Sequence, residues 1–223
     1  MYAQAAADGV SVFFAAGDSG VANTNKQGVT YPYPTVNFPT SSPNVIAVGG
    51  TQIGSEPTSI TSHATEQVWN DGYGAGGGGY SSVFAEPSYQ SSAQITDPTQ
   101  MRGLPDVSYN AAVISSVLIY ESFDPVDGPG WIPIGGTSAA TPQWAAVDAD
   151  VQSALGSQGF LAPKLYQIYQ SSSLYSEAFY PVLSGNNSFD GITGYSAAPG
   201  WNAASGLGTP NVSGLITALK ALS

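Results

Sequence analysis

The sequence predicts an α/β fold with a mainly parallel sheet, and three stretches predict it. Met1 to Asp8 reads as the end of a helix stopped by Gly9, followed by Val10 to Ala16 as a short apolar strand buried on both faces. Val45 to Val48 is a second apolar strand. Ile132 to Ile134 leads through Gly135-Gly136-Thr137-Ser138 into the alanine-rich helix Ala139 to Leu155. A helix running into a buried strand is characteristic of parallel sheets joined by crossovers. A crossover helix should follow the strand it crosses from, so further sequence is expected upstream of Met1.

The elements between and after these follow from local chemistry. The strand at Val45 ends at Gly49-Gly50-Thr51, and Asp71 to Tyr80 (DGYGAGGGGY) is a glycine-rich loop whose backbone can approach a ligand closely. Val113 to Tyr120 is β-rich and is followed by the turn-forming Asp124 to Gly130. Pro142 is expected in the first turn of the next helix, which puts Ser138 at or near a helix N-terminus, where the dipole favours an anion. Leu161 to Ser171 makes a second amphipathic helix, Ser184 to Gly208 a long Gly/Asn/Ser-rich loop, and Val212 to Leu222 a closing helix. With no internal repeat or boundary, residues 1–223 are expected to form a single domain.

Composition narrows the function classes. The chain has 42% hydrophobic and 9% charged residues, with 15 acids against 4 bases and a net charge of −11. That content supports a folded core and offers no cationic surface to nucleic acid or anionic lipid. Much of the negative charge disappears at roughly pH 3 to 4, as befits an acid-stable protein. The absence of cysteine removes disulfides, thiolate metal sites and thiol nucleophiles. Neither an apolar run of ~18 residues nor a basic leader is present, so no membrane span or signal peptide is expected.

The junction at Ser138 carries the strongest chemical signal. A strand-to-helix turn presents a hydroxyl where backbone N–H groups and the helix dipole can stabilise a tetrahedral oxyanion. A helix-capping serine is the alternative, but capping alone does not require Gly135 and Gly136 before it or Ala139 and Ala140 after it. Gly136-Thr137-Ser138-Ala139-Ala140 lacks the fifth-position glycine of an α/β-hydrolase elbow. Gly-Thr-Ser followed by small residues and proline is instead the serine signature of subtilisin-like enzymes, which use a histidine base. The lone histidine, His63, sits in a polar Thr61–Thr65 segment and reads as a solvated loop residue.

Phe14 to Gly20 (FAAGDSG) together with Gly136-Thr137-Ser138-Ala139 resembles the sedolisin family of serine-carboxyl peptidases. Further landmarks occur in the family's order: Asn37-Phe38-Pro39, Val48 to Thr51, Gly77 to Ser81, Pro87 to Gln90, Leu104 to Ser108, Pro199-Gly200-Trp201 and Gly206 to Gly208. The resemblance covers nearly the whole chain. It implies a subtilisin-like three-layer fold lacking its N-terminal portion, and an endopeptidase with a Ser-Glu-Asp triad in which an aspartate donates to the oxyanion. Ser138 then takes the nucleophile's place and Asp18 the donor's. A carboxyl donates only when protonated, and a glutamate base stays partly ionised where histidine is fully protonated, so activity at acid pH is implied. For Asp18 taken alone, the other reading is a cap of the turn after a buried strand.

The resemblance also places the triad's Glu and Asp on a helix well before Asp18, where this chain has only Asp8. A separate N-terminal segment is therefore expected to supply the pair; a non-catalytic pseudopeptidase or peptide-binding fragment is the other reading. Glu66, Glu86 and Asp106 fall in landmarks that are not catalytic and are expected to be structural or on the surface. Gly77, Gly78 and Gly79 are expected to flank a polypeptide substrate. One Ca2+ is implied near the C-terminus, with Asp190, a carbonyl of Gly191 or Ile192, the carbonyls of Ala198 and Gly200, and Asn202 where a second aspartate is usual. An extracellular or otherwise acidic compartment fits this chemistry.

Overall fold

The computed structural model describes residues 1–54, 65–95, 99–123 and 128–222. Its centre is β2 (Ile46–Ile53), which pairs in parallel with β1 (Phe13–Ala15) on one edge and with β6 (Val107–Asn110) on the other. Val48 faces both Ala15 and Val107 across the ladders, while β3 (Glu66–Val68) runs antiparallel to the far end of β2. The expected α/β arrangement with a mainly parallel sheet is therefore present.

The 19-residue helix α3 (Thr137–Leu155) lies across β1, β2 and β6. It buries Ala140, Trp144, Val147 and Val151, a helical stripe that packs into one cluster with Ile46, Val48 and Val107 of the sheet. Each large side chain so buried contributes roughly 1.5–3 kcal/mol. Trp144 is fixed in rotation by its indole N–H, which donates to the Ser108 carbonyl at 2.8 Å. Also packed against α3 is α6 (Val212–Ala221), which adds Leu215 and Leu219 to the same core, together with Leu165 of α4 (Ala162–Tyr169), a helix that meets both α2 (Ser88–Ser92) and α5 (Ser172–Ala178).

Several sequence expectations change in detail. β1 is half-buried throughout rather than buried on both faces: among the described residues it pairs only with β2, at the sheet's edge, and the preceding α1 (Tyr2–Ala7) contributes no buried residue. Gly49 and Gly50 do not end β2 but continue it, since a side chain at Gly49 would strike Pro105 and Ser108, and one at Gly50 would strike Ala111 and Trp69. Pro142 is the sixth residue of α3 rather than a first-turn residue. Its missing N–H leaves the Ser138 carbonyl without a helical donor, and neighbouring side chains bridge the adjoining turn: Thr141 Oγ1 donates to the Thr137 carbonyl at 2.7 Å and Gln143 Nε2 to that of Ala139 at 2.9 Å.

The β-rich run at Val113 is a hairpin of β7 (Val117–Glu121) and β8 (Gly130–Ile134) that leads directly to the glycine pair before α3. A second hairpin, β4 (Gly79–Ala85) with β5 (Met101–Leu104), grows out of the glycine-rich loop. No helix among the described residues is long and apolar enough to cross a membrane.

Candidate active site

Ser138 is the second residue of α3 and is exposed. The helix begins at Gly136, which has no side chain to cap the free N–H groups of the first turn. A carboxylate from the far side of the sequence does so instead. Asp18 Oδ1 accepts hydrogen bonds from Thr137 N and from Thr137 Oγ1, both at 2.7 Å. The Thr137 hydroxyl in turn accepts from Gly17 N at 3.1 Å.

Two local features bring Asp18 there. Parallel pairing runs past β1, with Ala16 N donating to the Val48 carbonyl at 2.9 Å, so the chain leaves the sheet beside the start of α3. The glycine-rich loop then grips the segment: Ala75 N donates to the Asp18 carbonyl at 3.0 Å, Gly20 N to that of Ala75 at 2.8 Å, and Gly77 N to that of Gly17 at 2.8 Å. Gly77, Gly78 and Gly79, expected beside the substrate, are buried; side chains there would collide with Ala16, Ala203 and Tyr195 respectively. Of the three, Gly77 packs directly against Ala16 and Gly17, the residues that lead into Asp18.

The glycines before Ser138 have a similarly local reason. Gly136 has φ +87°, and a Cβ there would stand 2.7 Å from Asp18 Oδ2. A Cβ on Gly135 would stand 2.9 Å from the Ala111 carbonyl. The glycine pair therefore makes room for Asp18 and for the turn. With Oδ1 held by two donors, any proton on Asp18 belongs on Oδ2. Thr137, which ties the start of α3 to this carboxyl, escaped sequence reasoning; its only signal was a hydroxyl residue next to Ser138 in the Gly-Thr-Ser motif.

Other acids serve the scaffold. Asp106 is fully buried: its Oδ2 accepts from Arg102 Nη2 at 2.6 Å and Ala47 N at 2.7 Å, and its Oδ1 from the Tyr166 hydroxyl at 2.8 Å. Burial opposes the Arg102 charge, but Asp106 together with the neighbouring Tyr89 and Tyr166 outweighs it and the guanidinium pKa is raised. Burial also raises the Tyr166 hydroxyl well above its usual value. Glu66 accepts from Thr51 and Thr209. Asp148, buried on α3, has its carboxyl pKa raised by burial, offset in part by a hydrogen bond from Gln152, and its Oδ1 finds no hydrogen-bond partner among the described residues. His63 lies outside the described residues.

The calcium donor set does not fit a cation as arranged. Asp190 is exposed, at φ +46° in the Phe189–Ile192 turn, and with Gly191 and Ile192 it lines a surface depression shared with Asn70 and Thr193. Ala198, Gly200 and Asn202 meet one another in a separate turn, where Asn202 Nδ2 donates to the Ala198 carbonyl at 3.0 Å and to that of Gly200 at 3.5 Å. The carbonyls expected to face a metal face an amide. No group of three or more His, Cys, Asp or Glu side chains suited to a metal occurs among the described residues.

No protein-family model matches the sequence. Kumamolisin of Bacillus sp. (strain MN-32) is 38% identical over 218 residues, covering 94% of this chain and 36% of that protein. Sedolisin of Pseudomonas sp. (strain 101) is 37% identical over 228 residues, and human tripeptidyl-peptidase 1 is 33% identical over 232, covering 96% and 97% of this chain and 36% and 38% of those proteins. The solved structure of Pseudomonas sedolisin, a serine-carboxyl proteinase complexed with two molecules of pseudo-iodotyrostatin, superposes with a TM-score of 0.84 at 36% identity, covering 99% of this chain and 58% of that one. Sphericase shares the fold at a TM-score of 0.52 and 22% identity. The chain thus spans little more than a third of the curated relatives' length.

Proposed function

Because this chain is homologous along nearly its whole length to the sedolisin-type serine-carboxyl peptidases and shares their subtilisin-like α/β fold, we propose that it is the nucleophile-bearing, C-terminal part of such a peptidase's catalytic domain. The observation that carries this reading is the double hydrogen bond from Thr137 to Asp18 Oδ1, which sets a carboxyl beside the residue that precedes Ser138.

In the proposed reaction Ser138 Oγ attacks the scissile carbonyl carbon, and its proton passes to a carboxylate base. The carbonyl π electrons move to oxygen, and the resulting oxyanion accepts hydrogen bonds from Asp18 Oδ2–H and from the Ser138 backbone N–H, one of the first-turn donors without an intrahelical acceptor. Collapse of the intermediate returns the electron pair, breaks the C–N bond with protonation of the leaving amine, and leaves an acyl-enzyme that water hydrolyses. The Glu/Asp pair acting as base belongs to a segment outside this chain, a reading supported by the length of the relatives beyond the matched region. Because a carboxyl donates only when protonated, the activity belongs to acid pH, in a secreted or acidic setting.

The test is peptide hydrolysis by the full-length protein between about pH 3 and pH 7, with and without Ser138→Ala. Cleavage confined to acid pH and lost in the variant by at least ~10³-fold is expected. Full activity in Ser138→Ala would sink the nucleophile, and a folded parent that binds peptides without cleaving them would establish the non-catalytic reading.

A further inference from the structure

The turn around Asn202 is closed by that residue's own side-chain amide. Asn202 is 7% exposed, and both ends of its amide are occupied. Its Oδ1 accepts from Ala204 N at 3.1 Å, Ser205 N at 2.9 Å and Ser205 Oγ at 3.0 Å, while its Nδ2 donates to the carbonyls of Ala198 and Gly200. This fixes the orientation of the amide: flipped, it would turn its NH2 against two backbone N–H donors and its oxygen against two carbonyls.

We infer that the Asn202 amide nitrogen stands in for a cation in this chain, so that the C-terminal turn is held without calcium. The physical reason lies in what a carboxylate would do here. One oxygen of an aspartate could satisfy the same three donors, but the other would face the Ala198 and Gly200 carbonyls, acceptor against acceptor. Only a metal ion or a proton between them would relieve that repulsion. The amide carries its own pair of donors and needs neither. Asp190, the other acid expected to ligate, lines a depression with Asn70 and Thr193.

The experiment is thermal unfolding of the purified protein at about pH 6, in EGTA and in millimolar CaCl2 against ionic-strength-matched NaCl, for the parent and for Asn202→Asp; it needs no catalytic activity and so stands or falls apart from the proposed function. The parent is expected to melt at the same temperature in all three solutions. Asn202→Asp is expected to melt about 5 °C lower in EGTA, with the deficit shrinking at about pH 3, where a protonated carboxyl donates as the amide does. A rise of more than about 5 °C in the parent on adding CaCl2 would overturn the inference, as would an Asn202→Asp variant as stable as the parent in EGTA at pH 6. If the variant does not fold, the parent's response to calcium alone decides.

Discussion

Thr137 directs two hydrogen bonds, one from its backbone N and one from its hydroxyl, onto Oδ1 of Asp18, a residue 119 positions earlier in the chain. One carboxyl oxygen therefore caps the helix that begins with Thr137 and Ser138. The other, Oδ2, is the atom proposed to donate to the oxyanion. From the sequence Asp18 reads either as a cap of the turn after β1 or as an oxyanion donor; in the structure its Oδ1 caps the start of α3, and the proposed donor role falls to Oδ2.

Thr137→Val keeps the backbone donor but removes the hydroxyl that donates to Asp18 and accepts from Gly17. We expect a loss of about 2 kcal/mol, or about 4–8 °C in Tm, together with a lower kcat at unchanged KM. Thr137→Ser should restore most of both. Equal damage from serine and valine would show that the methyl packing, not the hydroxyl, matters.

Gly136→Ala places a methyl group 2.7 Å from Asp18 Oδ2 at a φ of +87°. The strain alone costs about 1–3 kcal/mol. Since the atom struck is the proposed donor oxygen, activity should fall further than stability, which parallel Tm and kcat/KM measurements would reveal.

Asp18→Asn should orient its amide with Oδ1 toward Thr137 and its NH2 where Oδ2 now lies. The variant can then donate at any pH. We predict a smaller loss of kcat/KM near neutral pH than near pH 4, so an unchanged pH–rate profile would count against the donor role.

Asp148 gives a stability test. Burial raises its folded-state pKa above the unfolded value, so the folded protein holds this proton more tightly. Its contribution is then fully present below the unfolded carboxylate range and is lost as pH rises through the folded pKa. Asp148→Asn should therefore gain on the parent as pH rises from about 3 to 7, by about 1 kcal/mol, or about 2–4 °C in Tm. A constant difference across that range would refute the assignment.

Much of this was legible in the sequence because it is encoded locally. The helix starting beside Ser138, the strands at Phe13 and Ile46 and the closing helix all show as apolar periodicity with glycine punctuation. What was not legible depends on partners distant in sequence. Gly49 and Gly50 read as a strand end, yet they are strand residues made bare by Pro105, Ala111 and Trp69. Gly77 to Gly79 read as a loop beside the substrate, and the packing that keeps them bare, against Ala16, Ala203 and Tyr195, shows only in the folded chain. Asn202 was legible as standing where a second aspartate is usual, whereas the direction of its amide, toward the Ala198 carbonyl, was not.

The long separation between Asp18 and Thr137 also bears on the order of events during folding. Loop-closure entropy makes contacts between distant segments late and slow to form. The proposed nucleophile can meet its oxyanion donor only after the strands around β2 and the glycine-rich loop have assembled between them. A chain wired in this way brings Asp18 to the start of α3 only when it has almost finished folding.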